Sequence, residues 1–528
     1  MAGVDTRRSI KMLAFGGFAV VLIVSAVAAW HFLVSPLLDQ RLTESLASDA
    51  QYRVVATVAD DDFSGYAPLR SPEVQQDLKA QGIKLDFRDD GANYAARLEA
   101  LKTGEADLAV FTVDSLVKSA ADAGGFPGLI VLAIDESVGA DGCVAHVDDK
   151  GQKPATLDTP ATKFYGTPDS PSEFIARVAR ADLQFNALAG DWFVATDGAA
   201  DAFNRFRIDV NPTHLYCMWE PYLSMSLSEP AAYAVFDTSM VHEYVVDVLV
   251  ARREFLAEHP DVVEAVIAAH LRATYRLGND PKALTELLIA DAKDTKAGKF
   301  SESQAGAIAK GVRFTNTLEN YARFGLIPPA EARGLSNWED IFRKVVRVYV
   351  ETGAIRSDPF NGDYSALFHS KTTLANLQLQ GFHPVANAGA VPGLESGDLD
   401  AIRGVEELPA LAEEQWTKMS VVGNARVEPI SFRRAASELE MQGARDLDQL
   451  VMHLRSWSSY YITVVGHARA EGDPEANLAL AKARAETAAK YITDHGVNPN
   501  RVRAVGARPS GHQGAAQSVT FALMQPSY

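Results

Sequence analysis

Short apolar segments of strand length alternate with helical segments through the first half of this chain. Residues 52–58, 106–111 and 129–134 are β-rich or apolar runs, and residues 95–101 have helical character. Short apolar strands that are separated by helices form a parallel sheet with helices on both faces. The alternation therefore predicts an α/β fold. A second set of such elements follows over residues 161–236, and residues 244–250 predict a returning strand.

Helices dominate after residue 259, where Pro260 occupies a first helical turn. The pattern then dissolves between residues 376 and 408 into Gly, Pro, Ala and acidic residues. Such composition is typical of a linker, because it offers no apolar face to bury. We therefore predict that the chain divides into two structured parts around this segment.

A smaller patterned region occupies the C-terminal part of the chain. One predicted helix has an apolar face made of Leu447, Leu450, Val451, Leu454 and Trp457. Strands are predicted at 461–465, 502–505 and 519–523, and a second helix at 477–492. This order predicts a small mixed sheet with helices packed on one face.

The composition excludes several classes of protein. With 528 residues the chain is too long for a single hydrophobic core. Its formal charge of −18 argues against nucleic-acid binding, which requires a basic surface. The sequence has no Gly-rich phosphate loop, no nucleophile elbow and no paired-histidine metal motif among its 12 His. We therefore predict no catalytic residues, no metal site and no cofactor.

The N-terminus carries an apolar run from residue 12 to 34 behind the basic residues Arg7, Arg8 and Lys11. As a helix this run would reach about 34 Å, enough to cross the ~30 Å hydrocarbon layer. Because the basic flank stays inside, the bulk of the chain is expected in the periplasm. The alternative is a cleaved signal peptide, since residues 26–28 resemble a peptidase site. We predict a single-pass inner-membrane anchor over residues 1–38, and no lipid anchor because a lipobox cysteine is missing.

The two cysteines, Cys143 and Cys217, match no metal or redox motif. In an exported protein they can form a disulfide, and as residues of Gly-rich and apolar stretches they can equally be two buried free thiols. The sequence leaves both states open.

Several segments of the first structured part resemble ABC-transporter solute-binding proteins of the nitrate, taurine, alkanesulfonate and thiamine-precursor type. The segments that carry the resemblance are SGYAP at 64–68, FTVDS at 111–115, DESVGADG at 135–142, GTPDSPSEF at 166–174 and WEP at 219–221. The resemblance implies a type II fold of two lobes, over residues 51–375, that closes on a small solute. It also implies an ABC permease and ATPase as partners. The cysteine-rich segment of the thiamine-pathway enzymes with this fold is missing, so an enzyme is the weakest of the interpretations.

Eight residues of these segments are candidate solute contacts. They are Tyr66, Thr112, Asp114, Ser115, Ser170, Ser172, Trp219 and Glu220. Ligands of open α/β sheets lie beyond the carboxyl ends of the strands, and Thr112, Asp114 and Ser115 directly follow an apolar strand. Ser170 and Ser172 stand where a helix begins and can offer free N–H groups to a ligand, or Ser170 can simply be an N-cap.

Other candidates in the same segments have more than one interpretation. Tyr66 and Trp219 can form aromatic walls of the cleft or pack in the core. Glu220 can meet a cationic or amide group or brace the second lobe. Asp135 and Glu136, with the glycines that follow them, fit a hinge crossing in which the backbone matters most. The carboxylates near the predicted cleft favour amide- or amine-bearing solutes over oxyanions.

The C-terminal region resembles the OmpA-like peptidoglycan-binding family. Gly466-His467 after a strand, followed by Asn477-x-x-Leu480-Ala481-x-x-Arg484-Ala485, is similar to the family pattern GHTD…NxxLSxxRA. In that family an aspartate and an arginine hold the diaminopimelate of the peptide stem. The resemblance places Asn477 and Arg484 as candidate peptidoglycan contacts in an OmpA-like domain over residues 415–528.

Two positions depart from this family pattern. Arg469 occupies the place of the aspartate, so the ammonium group of diaminopimelate would meet a like charge. The family's Asn-Arg-Arg-Val is replaced by Ala516-Gln517-Ser518-Val519. Asn477 and Arg484 can therefore also be structural residues, as a helix cap and as a salt-bridged side chain. Whether peptidoglycan is bound stays open at this point.

Together these features predict four segments: an anchor over 1–38, a two-lobed solute-binding domain over 51–375, a linker over 376–414 and an OmpA-like domain over 415–528. The predicted function is a membrane-anchored periplasmic receptor that hands a small polar solute to an ABC permease. The alternative is an envelope scaffold or solute sensor, tethered to membrane and cell wall, with no transport role.

Overall fold

The computed structural model describes residues 52–368 and 408–526, except 184, 296, 328–331, 333, 426, 428–429, 434, 469–471 and 509–518. The predicted anchor at 1–38 lies outside the described residues, and so does most of the predicted linker. Within the described ranges, no helix is both long enough and apolar enough to cross a membrane.

Residues 52–368 form two lobes, each built on one sheet. The strands are, in chain order, β1 (Val54–Asp60), β2 (Ile83–Asp89), β3 (Leu108–Thr112), β4 (Gly128–Ser137), β5 (Asp141–His146), β6 (Lys163–Gly166), β7 (Phe193–Ala195), β8 (His214–Trp219), β9 (Ala232–Asp237), β10 (Val246–Arg252) and β11 (Val312–Phe314). The sheet of the first lobe has the order β11-β4-β10-β3-β1-β2, and that of the second lobe has the order β7-β6-β8-β5-β9. The α/β prediction is confirmed, and the chain enters the second lobe after β4 and returns with β10.

The predicted parallel sheet is found only in part, because each lobe's sheet contains antiparallel as well as parallel pairs. In the first lobe β1 is parallel to β2 and β3, whereas β10 is antiparallel to both β3 and β4. In the second lobe β5 is antiparallel to β8 and β9. The physical reason is the route of the chain. A strand that comes back from the other lobe needs no crossover helix, so it can enter the sheet in the opposite direction.

Helices cover both sheets. They are α1 (Ala67–Arg70), α2 (Pro72–Lys79), α3 (Tyr94–Thr103), α4 (Val113–Ala123), α5 (Pro171–Asp182), α6 (Gly198–Ile208), α7 (Tyr222–Leu227), α8 (Arg253–Glu258), α9 (Pro260–Gly278), α10 (Pro281–Asp294), α11 (Glu302–Gly311), α12 (Thr317–Arg323) and α13 (Trp338–Glu351). The predicted helix start at Pro260 is confirmed, with proline in the first turn of α9. The amphipathic helix α13 packs against α4 of the first lobe and α5 of the second, so it bridges the two lobes.

Two short crossings connect the lobes: the first is residues 138–140, between β4 and β5, and the second is residues 238–245, between β9 and β10. Thr238 in the second crossing binds residues at the first. The hydroxyl of Thr238 lies 2.7 Å from the hydroxyl of Ser137 and accepts a hydrogen bond from the backbone N–H of Gly139 at 2.8 Å. Gly139 has a positive φ of 125°, which a residue with a Cβ rarely adopts. The predicted hinge role of this segment therefore has a structural basis in the glycine and in the link between the crossings.

Glu136 belongs to a buried ion-pair network at the same hinge. Its carboxylate accepts hydrogen bonds from Arg313 at 2.5 Å and Arg323 at 3.1 Å, and Arg323 also pairs with Glu243. Burial alone would raise the pKa of Glu136, but Arg313, His242 and Arg323 outweigh it and lower that pKa well below its usual value. Glu136 is thus a structural carboxylate of the hinge, where its side chain has a role besides that of the backbone expected for this segment.

The C-terminal part, residues 408–526, forms a separate mixed sheet. It contains α14 (Glu413–Trp416), β12 (Met419–Asn424), α15 (Met441–Ser456), β13 (Tyr461–His467), α16 (Pro474–Asp494), β14 (Val502–Ala507) and β15 (Val519–Pro526). The strand order is β12-β15-β13-β14, with only β13 and β14 parallel to each other among these described strands. Helix α16 packs on β13 and β14, and α15 packs on α16. The predicted mixed sheet with helices is confirmed.

Two residues of this domain have clear structural roles. A Cβ on Gly466 would lie 1.9 Å from the carbonyl oxygen of Ala481 in α16, so only glycine permits this close approach of strand and helix. Arg501 is buried and donates hydrogen bonds to the carbonyl oxygens of Leu454, Trp457 and Tyr460, where its positive charge meets the C-terminal end of α15. Burial lowers the pKa of Arg501 to about 10.

The C-terminal domain contacts the lobes next to the hinge. The indole N–H of Trp457 donates to the hydroxyl of Tyr244 at 3.1 Å, and that hydroxyl donates to Asp182 at 2.9 Å. Arg347 of α13 pairs with the same Asp182 at 2.8 Å. The hydroxyl of Ser459 donates to the backbone carbonyl of Ser239 in the second crossing at 2.9 Å. The domain therefore lies against the segments that must move if the lobes open.

Candidate functional site

In the first lobe the carboxyl ends of β3 and β4 lie beside the first residues of β10, and in the second lobe the carboxyl end of β8 lies beside the start of β5. We call the region between these two sheet edges the cleft. One link across it is a hydrogen bond of 3.0 Å, which the hydroxyl of Tyr222 in the second lobe donates to Asp62 after β1. Asp62 lies two residues after the end of β1, and Tyr222 lies three residues after the end of β8. Such positions beyond the carboxyl ends of strands are where α/β sheets bind their ligands. This bond holds the two lobes in a closed arrangement.

Of the eight predicted contacts, Thr112, Ser115 and Ser170 make hydrogen bonds within their own helix N-termini. Thr112 caps α4: its hydroxyl donates to the hydroxyl of Ser115, which in turn donates to the carbonyl oxygen of Thr112, both at 2.9 Å. Ser170 caps α5, accepting from the N–H of Ser172 and donating to the carbonyl of Thr167 at 2.7 Å. For Ser170 the structure therefore has the N-cap arrangement that the sequence left as an alternative.

Three of the predicted contacts, Asp114, Ser172 and Trp219, have buried polar atoms without a hydrogen-bond partner among the described residues. Both carboxylate oxygens of Asp114, the hydroxyl of Ser172 and the indole N–H of Trp219 have no hydrogen-bond partner within the described protein. Asp114 and Ser172 are fully buried and Trp219 is 5% exposed. Buried polar groups are nearly always paired, so unpaired ones point to a missing partner.

Tyr66 and Glu220 have partners of their own at the edge of the cleft. The hydroxyl of Tyr66 donates to Asp247 at 2.5 Å, and its ring packs edge-on against Phe63. Glu220 accepts hydrogen bonds from the hydroxyl and the backbone N–H of Ser224, at 2.6 and 3.0 Å. Burial raises the pKa of Glu220 to about 7. Both residues of the prediction thus lie at the cleft, with Tyr66 also serving as core packing.

The structure adds a set of aspartates that sequence reasoning did not single out as ligand contacts. Asp247 of β10 lies directly opposite Asp135 of β4 on one side and Thr112 of β3 on the other. Carboxylates in directly opposed positions of antiparallel strands lie close together and repel when both are ionised. Both oxygens of Asp135 and one of Asp247 have no hydrogen-bond partner among the described residues.

A further aspartate, Asp141, lies at the start of β5 in the second lobe, opposite Trp219 of β8. It is buried, and one of its carboxylate oxygens has no partner in the described structure. Its charge acts on the pKa of Asp114, Asp135 and Asp247, so it lies close to the carboxyl groups of the first lobe. Asp141 therefore brings a carboxyl group of the second lobe close to those of the first lobe.

Burial and mutual repulsion make these carboxyl groups weak acids. Desolvation raises the pKa of Asp62 to about 6, of Asp141 to about 7 and of Asp135 to about 8. It also raises the pKa of Asp114 and Asp247 well above the usual value, and for Asp247 the charge of Asp135 adds to the effect. Near neutral pH the carboxyl groups of the cleft therefore resist full ionisation.

The neighbouring basic side chains are already engaged. Arg97 binds Asp61 at 2.8 Å, Asp90 at 2.6 Å and the carbonyl of Val110 at 2.7 Å. Arg177 pairs with Glu173 on α5. The cleft therefore contains excess acidic groups, and its basic neighbours have their own carboxylate partners.

The sequence did carry a signal for part of this set. Asp247 interrupts an otherwise apolar strand, and a carboxylate in such a strand is costly unless it has a partner or a function. The facing of Asp247 with Asp135 could not be read from the sequence, because the two residues are brought together only by the pairing of the returning strand β10 with β4.

The candidate peptidoglycan residues lie on α16 of the C-terminal domain. Arg484 is half-buried, donates to the carbonyl of Ala436 at 2.9 Å and stacks over the ring of Phe432 at 5.2 Å. Asn477 is in the first turn of α16, but the side chain that caps this helix is Asp473. The alternative interpretation of Asn477 as the cap is therefore wrong. Arg469 and residues 516–518 lie outside the described part of the chain.

Comparison with known families finds one match in each of the two described parts of the chain. Residues 78–284 match the family described as NMT1/THI5 like, and residues 431–517 match the OmpA family. A peptidoglycan-associated lipoprotein of Rhizobium meliloti is 33% identical over 76 residues, which are 14% of this chain and 43% of that protein. The chain thus spans less than half the length of this curated relative.

Solved structures resemble the two-lobed part at low identity. One is the ligand-binding component of an ABC-type import system from Staphylococcus aureus, with 15% identity, a TM-score of 0.44, and coverage of 62% of this chain and 99% of that one. The alkanesulfonate-binding protein of Xanthomonas axonopodis has 12% identity, a TM-score of 0.45, and coverage of 59% and 98%. The nitrate-binding protein of Synechocystis has 13% identity, a TM-score of 0.39, and coverage of 66% and 97%.

Proposed function

We propose, from the combination of an NMT1/THI5-like region with an OmpA-family domain in one chain, that this protein is an envelope-tethered solute receptor. It captures a small polar solute between its lobes and delivers it to an ABC-type permease and ATPase. The observation that carries the proposal is the cleft itself, whose walls bear buried polar groups without partners, among the described residues, on both lobes. Such groups are what a binding cleft presents to its ligand, and capture of a solute needs no catalytic residue.

The proposal includes the position of the receptor in the cell. The apolar run at 12–34 anchors it in the inner membrane with the lobes in the periplasm, and the OmpA-like domain holds it near the cell wall. A receptor with two tethers has a high local concentration near one permease and cannot diffuse to distant ones.

Intrinsic fluorescence of the full-length chain in mild detergent tests solute capture, because Trp219 lies in the cleft. We expect a saturable change in emission for one class among amines, sulfonates, oxyanions and neutral amides. Trp219→Phe should remove most of that change, while Trp416→Phe in the C-terminal domain should leave it intact. A chain that is folded but shows no saturable change with any class would contradict the proposal.

We further propose that the C-terminal domain binds peptidoglycan weakly through Arg484. Its guanidinium can hold a stem-peptide carboxylate, whereas Arg469 repels the ammonium group of diaminopimelate. Arg469→Asp is therefore expected to increase retention of the full chain on purified sacculi by about tenfold, the effect of roughly 1.4 kcal/mol.

The matched variants for the sacculus assay lie on the same helix. Arg484→Gln should reduce retention, and Lys482→Gln, which removes an exposed charge two residues away, should not. If the wild-type protein, the Arg469→Asp variant and both α16 variants are all retained equally, this domain does not bind the wall through the family's site.

A second function, a solute sensor, is favoured by the contact between the C-terminal domain and the hinge. Trp457 donates a hydrogen bond to Tyr244, and Ser459 donates one to Ser239, both in the second crossing. Opening of the lobes would therefore change the contacts that position the C-terminal domain. Trp457→Phe removes only the indole N–H. If the protein signals through this contact, the variant should change sacculus retention in the presence of solute while leaving solute affinity within about twofold.

A further inference from the structure

The cleft contains six acidic groups that have no ion-pair partner among the described residues. They are Asp62, Asp114, Asp135, Asp141, Asp247 and Glu220. In the first lobe, Asp62 follows β1, Asp114 lies in the first turn of α4, Asp135 lies on β4 and Asp247 on β10. In the second lobe, Asp141 is the first residue of β5 and Glu220 follows β8. Every wall of the cleft therefore contributes at least one carboxyl group.

A second observation points independently to a missing ligand. The indole N–H of Trp219 is buried and has no hydrogen-bond acceptor among the described residues, although it lies close enough to Asp62 to lower the pKa of that carboxyl group. The hydroxyl of Ser172, at the start of α5, is fully buried and also unpartnered. The first lobe thus has carboxylate oxygens without donors, and the second lobe has the unpaired Ser172 and Trp219. A bound molecule would supply the missing hydrogen-bond partners on both lobes.

The charges of the surroundings favour a cationic guest over an anionic one. Arg97 and Arg177 are held by carboxylates of the protein itself, so they cannot neutralise a sulfonate or an oxyanion. An anion between Asp141 and Asp247 would add repulsion in a low-dielectric space, where charges interact strongly. The guest must instead supply positive charge.

The arrangement of the acidic groups also separates an organic cation from a metal ion. Among the described residues no three His, Cys, Asp or Glu side chains are grouped closely enough to hold a metal. The carboxyl groups come from several strands and helices of both lobes. A molecule with several N–H donors can reach groups that are distributed in this way.

We propose that the cleft binds a small organic cation bearing protonated N–H groups, namely a primary amine, an amidine or a guanidine. This inference rests on the proposed receptor function and names its solute class. The cation donates hydrogen bonds to Asp135 and Asp247 on the first lobe and to Asp141 on the second. Because carboxyl groups of both lobes bind the same cation, binding favours the closed arrangement in which Tyr222 donates a hydrogen bond to Asp62.

Without a solute, burial raises the pKa of these carboxyl groups, so they hold protons at pH values at which exposed carboxyl groups are ionised. Binding of a cation replaces such protons, so affinity is expected to rise between pH 5.5 and 8, the range in which Asp62, Asp141 and Asp135 titrate. The other charged groups that face this set are Asp61 with Arg97, Glu136 with its arginines, and Glu173 with Arg177. Those three groups are already ion-paired.

Thermal unfolding of the full-length chain in mild detergent tests the inference. The probes are putrescine, spermidine, agmatine and arginine as cations, taurine and nitrate as anions, urea as a neutral amide, and Ca²⁺ and Zn²⁺ alone. We expect at least one organic cation, and none of the other probes, to raise the Tm at pH 7.5. Asp141→Asn and Asp247→Asn should each weaken that binding by about 10- to 100-fold, the loss expected for a hydrogen bond to a charged group.

Asp149→Asn is the matched control, because it removes one negative charge from an exposed loop of the second lobe and should leave affinity unchanged. The Tm of each solute-free variant shows whether it has folded. Stabilisation by taurine, nitrate, urea or a metal alone would overturn the cation assignment and leave the receptor function standing. A folded protein that none of the probes stabilises would contradict the receptor function and the inference together.

Discussion

Asp141→Asn is expected to stabilise the solute-free protein at pH 8 by roughly 2–4 kcal/mol, although it weakens solute binding. Burial raises the pKa of Asp141 from 3.8 to about 7. Ionising this group at pH 8 therefore costs the folded state free energy that the unfolded chain does not lose. Asparagine has the same shape and no charge. Free energies of unfolding from urea titrations of both proteins measure the difference.

The pH dependence follows from the same group. A carboxyl group with a raised pKa contributes stability that is present below its unfolded pKa and is lost as the pH rises through the folded value. Wild-type protein should thus lose stability between about pH 4 and 8, and Asp141→Asn should lose less. The groups that act on the pKa of Asp141 include Glu220 and Asp61. If Asp141→Asn instead lowers stability at pH 8 by about 1 kcal/mol or more, as for an ordinary lost buried hydrogen bond, the carboxylate is satisfied within the protein.

Removal of the Cys143–Cys217 disulfide has the second large expected effect. The structure pairs these residues, which settles the two states that the sequence left open. They are separated by 74 positions, so a chain-entropy argument gives about 4 kcal/mol of stabilisation. The double variant Cys143→Ala/Cys217→Ala should lose about this much free energy of unfolding, and reduction of the wild-type protein should have a similar effect.

The disulfide also supports the cleft. It joins β5 to β8 in direct register, two residues from Asp141 on one strand and from Trp219 on the other. We expect the double variant to bind solute more weakly even where it is fully folded. Intact-mass measurement after alkylation of the denatured, unreduced protein checks the bond itself. Two alkylated cysteines and an unchanged free energy of unfolding in the double variant would contradict this account.

The order of elements could be predicted from the sequence because the apolar runs are short and well separated. The strand predicted at 244–250 is observed as β10 at Val246–Arg252, and the strand predicted at 519–523 continues to Pro526 in β15. The direction of β10 could not be predicted, since an apolar run does not show whether its strand pairs parallel or antiparallel to its neighbours. The boundary between linker and OmpA-like domain stays a prediction, although α14 (Glu413–Trp416) crosses the predicted limit at 414 and Trp416 packs on Tyr461 of the sheet.

The candidate site was predictable only in part. Tyr66, Asp114, Trp219 and Glu220 became candidate contacts because they lie in segments with a family resemblance, and Asp114 also directly follows an apolar strand. Asp135 was assigned to the hinge, and the structure instead opposes it to Asp247 across two strands that are far apart in sequence. Local patterns cannot show that two carboxylates from distant strands share a space. That pairing, rather than any single residue, gives the cleft its acidic character.

The contact of Trp457 with Tyr244 links the C-terminal domain to the lobes next to the hinge. His453, one turn before Trp457, is half-buried near Arg347, and desolvation with this neighbouring charge lowers its pKa to about 4. A neutral histidine at this interface is compatible with the cationic side chains of α13 around it. His453 therefore stays uncharged over the pH range in which the cleft titrates.

The distance between the lobes tests the central claim most directly. Spin labels on Gln76→Cys in the first lobe and Asn204→Cys in the second, both at exposed positions, report it in the full-length chain by pulsed electron resonance. We predict that a stabilising organic cation shortens and narrows the distance distribution, and that Asp141→Asn abolishes this response. A distribution that stays the same with amines, anions and neutral solutes alike would contradict capture of a solute between the two lobes.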